Sequence, residues 1–303
     1  MKLKIASAIL SILSIIIISL FAIESHEKDP DTLTLKSYHE EIEKARFVAF
    51  KQNKISIPPT PNDDDDEDLS GYSHEAYGWS FKRMNDHKPS ESYAAFDISP
   101  FDAYYRNEHV KPGDKVIYLT FDCGYEYKHL TKTILDILKD KCVNATFFVT
   151  KQFIKTDYEL CIRMKDEGHI IGNHTMNHPN LAKVDDERFI QEVQGLDDYL
   201  YERTTYHIDS FLRPPEGGYS EYSLAKTKEL GYTTIFWSIA YLDYDTENQP
   251  GADYVLEHIK KYHHNGAIIL MHAISESNVE ALPDVIDYLL SEGYRFGILT
   301  EFK

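Results

Sequence analysis

The sequence predicts an α/β fold in which a parallel sheet, closed into a barrel, is covered on its outside by helices. Three observations point there. From residue 116 to the end of the chain, short apolar, β-branched segments alternate with longer amphipathic ones, the pattern of repeated β-α crossovers. About seven such units are present, which suits a barrel better than an open sheet. Nearly every strand-like segment also ends in a residue able to do chemistry, and in such folds the C-terminal ends of parallel strands share one rim. No internal repeat of fixed period is present.

The elements follow in order. Lys111-Pro-Gly-Asp114 is a turn signal directly before the opening strand, Val116-Ile-Tyr-Leu-Thr-Phe-Asp122-Cys123, whose apolar run stops at an acid, a thiol and Gly124. Later strands are expected at Ala145–Thr150, His169–Gly172, Ser210–Arg213, Thr233–Ala240, Ala267–His272 and Arg295–Leu299. Helical periodicity covers Leu130–Lys139, Glu187–Tyr201, Ser220–Leu230, Tyr254–Tyr262 and Val279–Ser291.

Ahead of this domain the 303-residue chain changes character. Met1-Lys-Leu-Lys followed by the apolar run Ile5 to Ile23 has the charged start and apolar core of an export signal. The run is about long enough to span a bilayer, and Ser19-Leu-Phe-Ala-Ile-Glu24 offers no small-x-small cleavage site. A membrane anchor is therefore favoured over a cleaved signal peptide, with the remainder outside the cytoplasm because the flanking charge is basic. Residues 24–76 form a polar, acidic spacer. Within it Tyr38–Lys51 can be drawn as an amphipathic helix, and Pro58-Pro59-Thr-Pro61 and the run Asp63–Asp68 then break regular structure. The folded domain is expected to occupy 77–303, starting at the aromatics Tyr77, Trp79 and Phe81.

Composition narrows the partners. A net charge of −18 argues against nucleic acid or an anionic membrane surface as the main partner. Three cysteines make no disulfide framework for an exported protein. At most one pair can form, and pairing Cys142 with Cys161 leaves Cys123 free; as unpaired residues, both read as small buried hydrophobes.

Several strand endings carry reactive groups. In Gly172-Asn-His174-Thr-Met-Asn-His178-Pro179 two imidazoles stand four residues apart, within reach of one divalent metal. The glutamate of the metalloprotease helix pattern is missing between them, and Pro179 ends any helix, so protease chemistry is disfavoured. Two histidines need a third protein ligand, for which the opening strand offers Asp122 or Cys123. An acid beside a water can take its proton, an arginine can keep that acid ionised, and a histidine across the site can protonate a departing amine. Asp122, Arg213 and His272 are the residue types required. Each also has a bland reading, as a turn former, a surface ion pair and a core imidazole.

Taken together, these motifs resemble those of the polysaccharide deacetylases, the NodB-homology or family-four carbohydrate esterase group. They are Thr120-Phe-Asp122-Cys-Gly124, His174-Thr-Met-Asn-His178-Pro, Arg213-Pro-Pro215 and Leu270-Met-His272, in the family's order. The resemblance implies a distorted (β/α)7 barrel and metal-assisted removal of acetyl groups from N-acetylated sugars. It makes Asp122 the catalytic base, His174 and His178 metal ligands with Cys123 at the family's third-ligand position, Arg213 the residue that orients Asp122, and His272 the general acid. Around them Tyr125, Pro214, Pro215, Trp237 and Asp243 are expected as substrate contacts. Asn144-Ala-Thr-Phe-Phe148-Val is similar to the family's second strand, a core element.

There are two departures from the family pattern. Where most of the family has a second, metal-binding aspartate, this chain has Cys123, and where an aspartate pairs with the general acid it has Ala240. Asp243 is close enough in sequence to take over that second role. A non-aspartate at position 123, Gly124-Tyr125-Glu126 and Trp237-Ser-Ile-Ala240 are most similar to the spore-cortex enzymes that deacetylate muramic acid on the way to its δ-lactam, although that subgroup usually has asparagine at position 123 and Cys123 is unusual even there. The expectation is thus a membrane-anchored or secreted enzyme of the cell wall or spore envelope acting on peptidoglycan N-acetylmuramic acid, with a divalent metal, zinc if the thiolate binds. The alternatives are an N-acetylglucosamine deacetylase acting on peptidoglycan or chitin, a glycan-binding relative without turnover, and a cysteine enzyme centred on Cys123.

Overall fold

The computed structural model describes residues 68–302, apart from residue 112. The N-terminal apolar run, the amphipathic stretch Tyr38–Lys51 and most of the acidic spacer lie outside the described residues. Among the described residues no helix is long and apolar enough to cross a membrane.

Twelve short strands appear in chain order among these residues. Strand β1 (Tyr77–Gly78), the hairpin of β2 (Phe81–Lys82) and β3 (Glu91–Ser92), and β4 (Ala103–Tyr104) precede the main run. That run comprises β5 (Val116–Cys123), β6 (Thr146–Val149), β7 (Ile170–Asn173), β8 (Phe211–Leu212), β9 (Gly218–Tyr219), β10 (Thr233–Ile235), β11 (Ala267–His272) and β12 (Arg295–Gly297). Seven helices accompany them: α1 (Leu130–Asp140), α2 (Lys151–Thr156), α3 (Tyr158–Asp166), α4 (Asp186–Thr204), α5 (Glu221–Glu229), α6 (Ala252–Tyr262) and α7 (Glu276–Ser291). The sequence did not mark α2 and α3, because Asp157 splits the stretch into two pieces too short to show helical periodicity. Each has its own N-cap, Thr150 and Asp157, whose side chains accept from backbone N–H groups three residues on.

Eight strands form one sheet in the order β11-β5-β6-β7-β8-β10-β4, with β12 added beside β5. Every pairing in it is parallel. The sheet curls back on itself, and two devices bridge β10 to β11. Beyond β10 the chain bends at Ser238, and Ile239 then bridges to Ile269, with Leu270 N donating to Ile239 O at 2.9 Å. At the opposite end β4 lies along β10 and Arg106 bridges to Ala267. That approach requires Gly266, which has φ +74°; a Cβ there would sit 2.2 Å from the Asn107 carbonyl oxygen. The result is the expected distorted barrel, with β12 inside the expected segment Arg295–Leu299 and β4 as a strand beyond the expected set.

Strand alternation sorts the core into two layers. Val116 and Tyr118 of β5 point into the barrel with Phe148 and Ile268, whereas Ile117, Leu119, Phe121 and Cys123 point outward under the helices. The outer layer is the larger and buries the apolar faces of α1, α4, α6 and α7. A third cluster, around Trp79, Tyr219, Tyr222 and Phe236, attaches the β1–β4 region, and its packing reaches back to Leu69, ahead of Tyr77.

Candidate active site

The strand ends converge as expected. Asp122 is the penultimate residue of β5 and His272 closes β11, and the two are direct register partners on neighbouring strands. His174 follows β7 and Arg213 follows β8. Asp122, His174, His178 and His272 line one open cleft of about 1080 Å³ at the C-terminal rim.

Asp122 is held by a fully buried charge, that of Arg213. The Arg213 Nη1 donates to its Oδ1 at 2.8 Å, and the guanidinium is 0% exposed. The other donors of Arg213 are used as well, Nε toward Ile235 O at 3.1 Å and Nη2 toward Phe236 O at 3.3 Å. Its planar face lies 4.2 Å from the centre of the Phe148 ring. Burial by itself would raise the Asp122 pKa, but the positive charge of Arg213, with His174 and His272, outweighs it and holds the carboxyl below the usual carboxylate range. Asp122 is therefore an ionised base with one oxygen, Oδ2, left facing the site.

That oxygen is 3.6 Å from His174 Nε2. His174 Nδ1 lies 2.8 Å from the Arg213 carbonyl oxygen, which can only accept, so Nδ1 carries the proton and Nε2 presents a lone pair. Burial pushes the His174 pKa down to about 4, so the ring is neutral at neutral pH. The His178 ring stands 4.8 Å from it, centre to centre.

The loop that carries these rings takes backbone conformations which ordinary side chains disfavour, with Thr175 at φ +68° and His178 at φ +58°. It is held from beneath by Glu192 of α4, which is 1% exposed. Its carboxylate accepts from Asn177 N at 2.7 Å and Asn177 Nδ2 at 2.9 Å. Asn173 Oδ1 accepts from Thr175 N, and Thr175 Oγ1 accepts from His178 N. No residue pattern marks Glu192; helix α4 simply carries it under the loop.

The two imidazoles suit a divalent cation, since their rings stand 4.8 Å apart and His174 presents a free Nε2 beside the Asp122 carboxylate. Among the described residues, however, no group of three or more His, Cys, Asp or Glu is arranged to hold a metal ion. Cys123, expected at the third-ligand position, does not supply a ligand. It is 0% exposed and lies in the outer core layer on the opposite face of β5 from Asp122, because successive strand residues face opposite ways. Burial, together with the nearby Asp122 charge, pushes its thiol pKa well up, so it is no thiolate, and a cysteine enzyme centred on it has no support. Replacing Cys123 with alanine is expected to leave affinity for a divalent cation unchanged and to cost about 1–2 kcal/mol of stability through the cavity left behind. Metal titration and chemical denaturation check this, and a tenfold loss of affinity would restore Cys123 as a ligand.

His272 is paired with Asp243, the residue the sequence offered in place of the aspartate missing at position 240. Its Nδ1 is 2.7 Å from Asp243 Oδ1, and its backbone N–H donates to Asp243 Oδ2 at 2.8 Å. Asn278 Nδ2 also donates to Asp243 Oδ2, at 2.6 Å, and Asn278 is fixed by Tyr241 Oη. Burial would lower the His272 pKa, but the Asp243 hydrogen bond and charge, aided by Asp122, outweigh it and raise the pKa above its ordinary value. Asp243 is 1% exposed and sits behind His272, so it is a supporting carboxylate and not the substrate contact expected of it. Pro215 is also no cleft residue; it is buried and opens the short turn Pro215–Gly217. Tyr125, Pro214 and Trp237 do line the cleft, as do Tyr244 and Met176, which the sequence left unmarked.

Comparison with known proteins agrees with this geometry. A family model described as polysaccharide deacetylase matches residues 109–235. The peptidoglycan-N-acetylmuramic acid deacetylase PdaA of Bacillus subtilis is 42% identical over 225 residues, which are 74% of this chain and 84% of that protein. A peptidoglycan-N-acetylglucosamine deacetylase of Bacillus cereus is 33% identical over 196 residues, covering 63% of this chain and 90% of the relative. The solved structure of Bacillus subtilis PdaA, a family 4 carbohydrate esterase, superposes with a TM-score of 0.71 at 41% identity, covering 76% of this chain and 97% of that one.

Proposed function

The chain belongs to the polysaccharide deacetylase family, and from that premise we propose that it hydrolyses the acetamido group of N-acetylmuramic acid in peptidoglycan glycan strands, a step towards the muramic δ-lactam of spore cortex. One observation carries the reaction type. A carboxylate held ionised by buried Arg213 and an imidazole backed by a buried carboxylate stand on adjacent strands of one cleft. Such a pair can take a proton from water on one side of an amide and give one to the departing amine on the other. The greater likeness to the muramic acid deacetylase than to the glucosamine deacetylase supports the choice of sugar.

In this reading Asp122 Oδ2 accepts the proton of the attacking water, and Arg213 keeps the carboxylate ionised and aimed. His272, protonated on both ring nitrogens and oriented through Nδ1 by Asp243, donates from Nε2 to the amine nitrogen as the carbon–nitrogen bond breaks. His174 and His178 would hold the divalent cation, which when bound supplies polarisation of the amide carbonyl. With the thiol turned away, the donors are imidazole and oxygen, a set less selective for zinc than the sequence suggested. The apolar run Ile5–Ile23 and the cell-wall substrate support action outside the cytoplasm, with the N-terminal segment as export signal and anchor.

Mass spectrometry of products from defined glycan strands stripped of peptide tests the choice of sugar. Deacetylated muramic acid is expected, recognisable because it alone can close a lactam onto its own lactyl carboxyl. Acetate released only from glucosamine residues would replace this reading with the glucosamine deacetylase.

A further inference from the structure

We propose that Lys151 and Lys155 form the subsite that holds the lactyl carboxylate of the muramic acid being deacetylated. The inference deepens the proposed function and rests on it. Lys151, Gln152 and Lys155 face the cleft from a single turn-and-a-half of α2, and the two lysines are the only ones among the residues lining it. The helix is tied to the catalytic strand's exit: its N-cap, Thr150, donates through Oγ1 to Gly124 O at 2.6 Å and accepts from Phe153 N. The lysine wall thus stands beside Asp122 and between the strands that deliver Asp122 and His174.

The chemistry of the sugar requires something there. Muramic acid differs from glucosamine by a lactyl ether on carbon 3, next to the acetamido group on carbon 2. An amide placed beside Asp122 therefore carries its carboxylate into the same cleft. That carboxylate meets two lining acids, Asp122 and Glu216, in a chain with a net charge of −18. Repulsion at both short and long range would disfavour it unless cations on the wall compensate. Lysines 151 and 155 supply them. Neither forms an ion pair with a carboxylate among the described residues; the Lys151 ammonium lies 5.1 Å from the centre of the Tyr199 ring.

Local stability accounts for only one of the two. Lys155 lies in the last turn of the helix, where the dipole favours a cation, whereas Lys151 opens it, where a positive charge opposes the dipole and stands four residues from another of the same sign. A position that contradicts local electrostatic preference, as Lys151 does, is where function is sought.

The test compares the full-length wild type and the Lys151→Ala/Lys155→Ala variant, loaded with divalent cation, on two substrates. One is peptide-free glycan with free lactyl carboxylates, the other the same strands with those carboxylates converted to neutral methylamides. On the free acid the variant is expected to lose about tenfold to a hundredfold in kcat/KM at low salt, the range for hydrogen bonds to charged groups. The loss shrinks with added salt, and Lys151→Arg/Lys155→Arg retains most of the rate. On the methylamide, wild type falls to the level of the alanine variant. An equal ratio between wild type and variant on both substrates would overturn the proposal and assign the lysines to the shape of the cleft. No difference on the free acid would overturn it as well. A wild type that releases acetate from glucosamine but never from muramic acid defeats the underlying reading first, and the subsite with it.

Discussion

Changing Asp122 to asparagine is expected to lower acetate release by roughly 10²- to 10⁴-fold, the usual worth of a positioned general base. The amide keeps the shape and can still accept from Arg213 Nη1, but it cannot take a proton. The same change reaches beyond catalysis. Arg213 is fully buried, and its charge is balanced across a 2.8 Å contact with Asp122. Removing one partner of a buried pair costs about 3–5 kcal/mol, because the remaining charge has no compensation. The asparagine variant should therefore be both inactive and less stable. Adding Arg213→Met should recover stability without recovering activity, and denaturant unfolding of the single and double variants gives the coupling directly. Acetate release at the wild-type rate from Asp122→Asn would end the assignment of this residue as the base.

The pair also gives stability a direction with pH. Because the folded-state pKa of Asp122 is depressed, its contribution is present above the unfolded carboxylate pKa and is lost as pH falls through the folded value. Acid is thus expected to loosen the barrel at the rim where the chemistry sits.

The second large effect is expected from Asp243→Asn. The groups that face His272 are Asp243, Asp122 and Arg213, with Tyr244 against its ring. Burial and Arg213 work against its protonated form, and the two carboxylates work for it. Since the net shift is upward, His272 stays protonated to higher pH than an ordinary histidine, and activity is expected to be lost as pH rises through that raised value. Removing the Asp243 charge lets burial prevail, so the basic limb of the kcat/KM profile moves to lower pH and the rate at neutral pH falls, by roughly 10²-fold or more. The linked stability behaves with the same sign: the His272–Asp243 interaction contributes fully below the unfolded histidine pKa and is lost as pH rises through the folded one. An unshifted basic limb in Asp243→Asn would show that His272 does not titrate against Asp243.

The barrel was legible in the sequence because period-2 apolar segments alternating with period-3.6 ones have few solutions other than a parallel sheet under helices. The rim residues were legible for a related reason. Asp122, His174, Arg213 and His272 each sit at the end of a strand whose apolar run shows where the strand stops, so parallelism alone brings them together. Helices α2 and α3 were not legible, being six and nine residues long and separated by a single capping aspartate.

What only the tertiary structure decided concerns facing and support. Cys123 adjoins Asp122 in sequence, yet continuation of the strand through residue 123 turns the thiol into the outer core, since neighbours in a strand face opposite sides. Asp243 lies 29 residues from His272, and the fold places it behind the imidazole and not in the cleft. Glu192 and Asn278 carry no motif and become buried struts under the loop and the acid because helices α4 and α7 deliver them there. Lys151 and Lys155 belong to no motif, and only the short helix α2 brings them to the cleft. Sequence carries the identity of reactive groups because their chemical types are distinctive, whereas the partners that orient and tune them are ordinary residues whose role is set by distance, and distance exists only once the chain has folded.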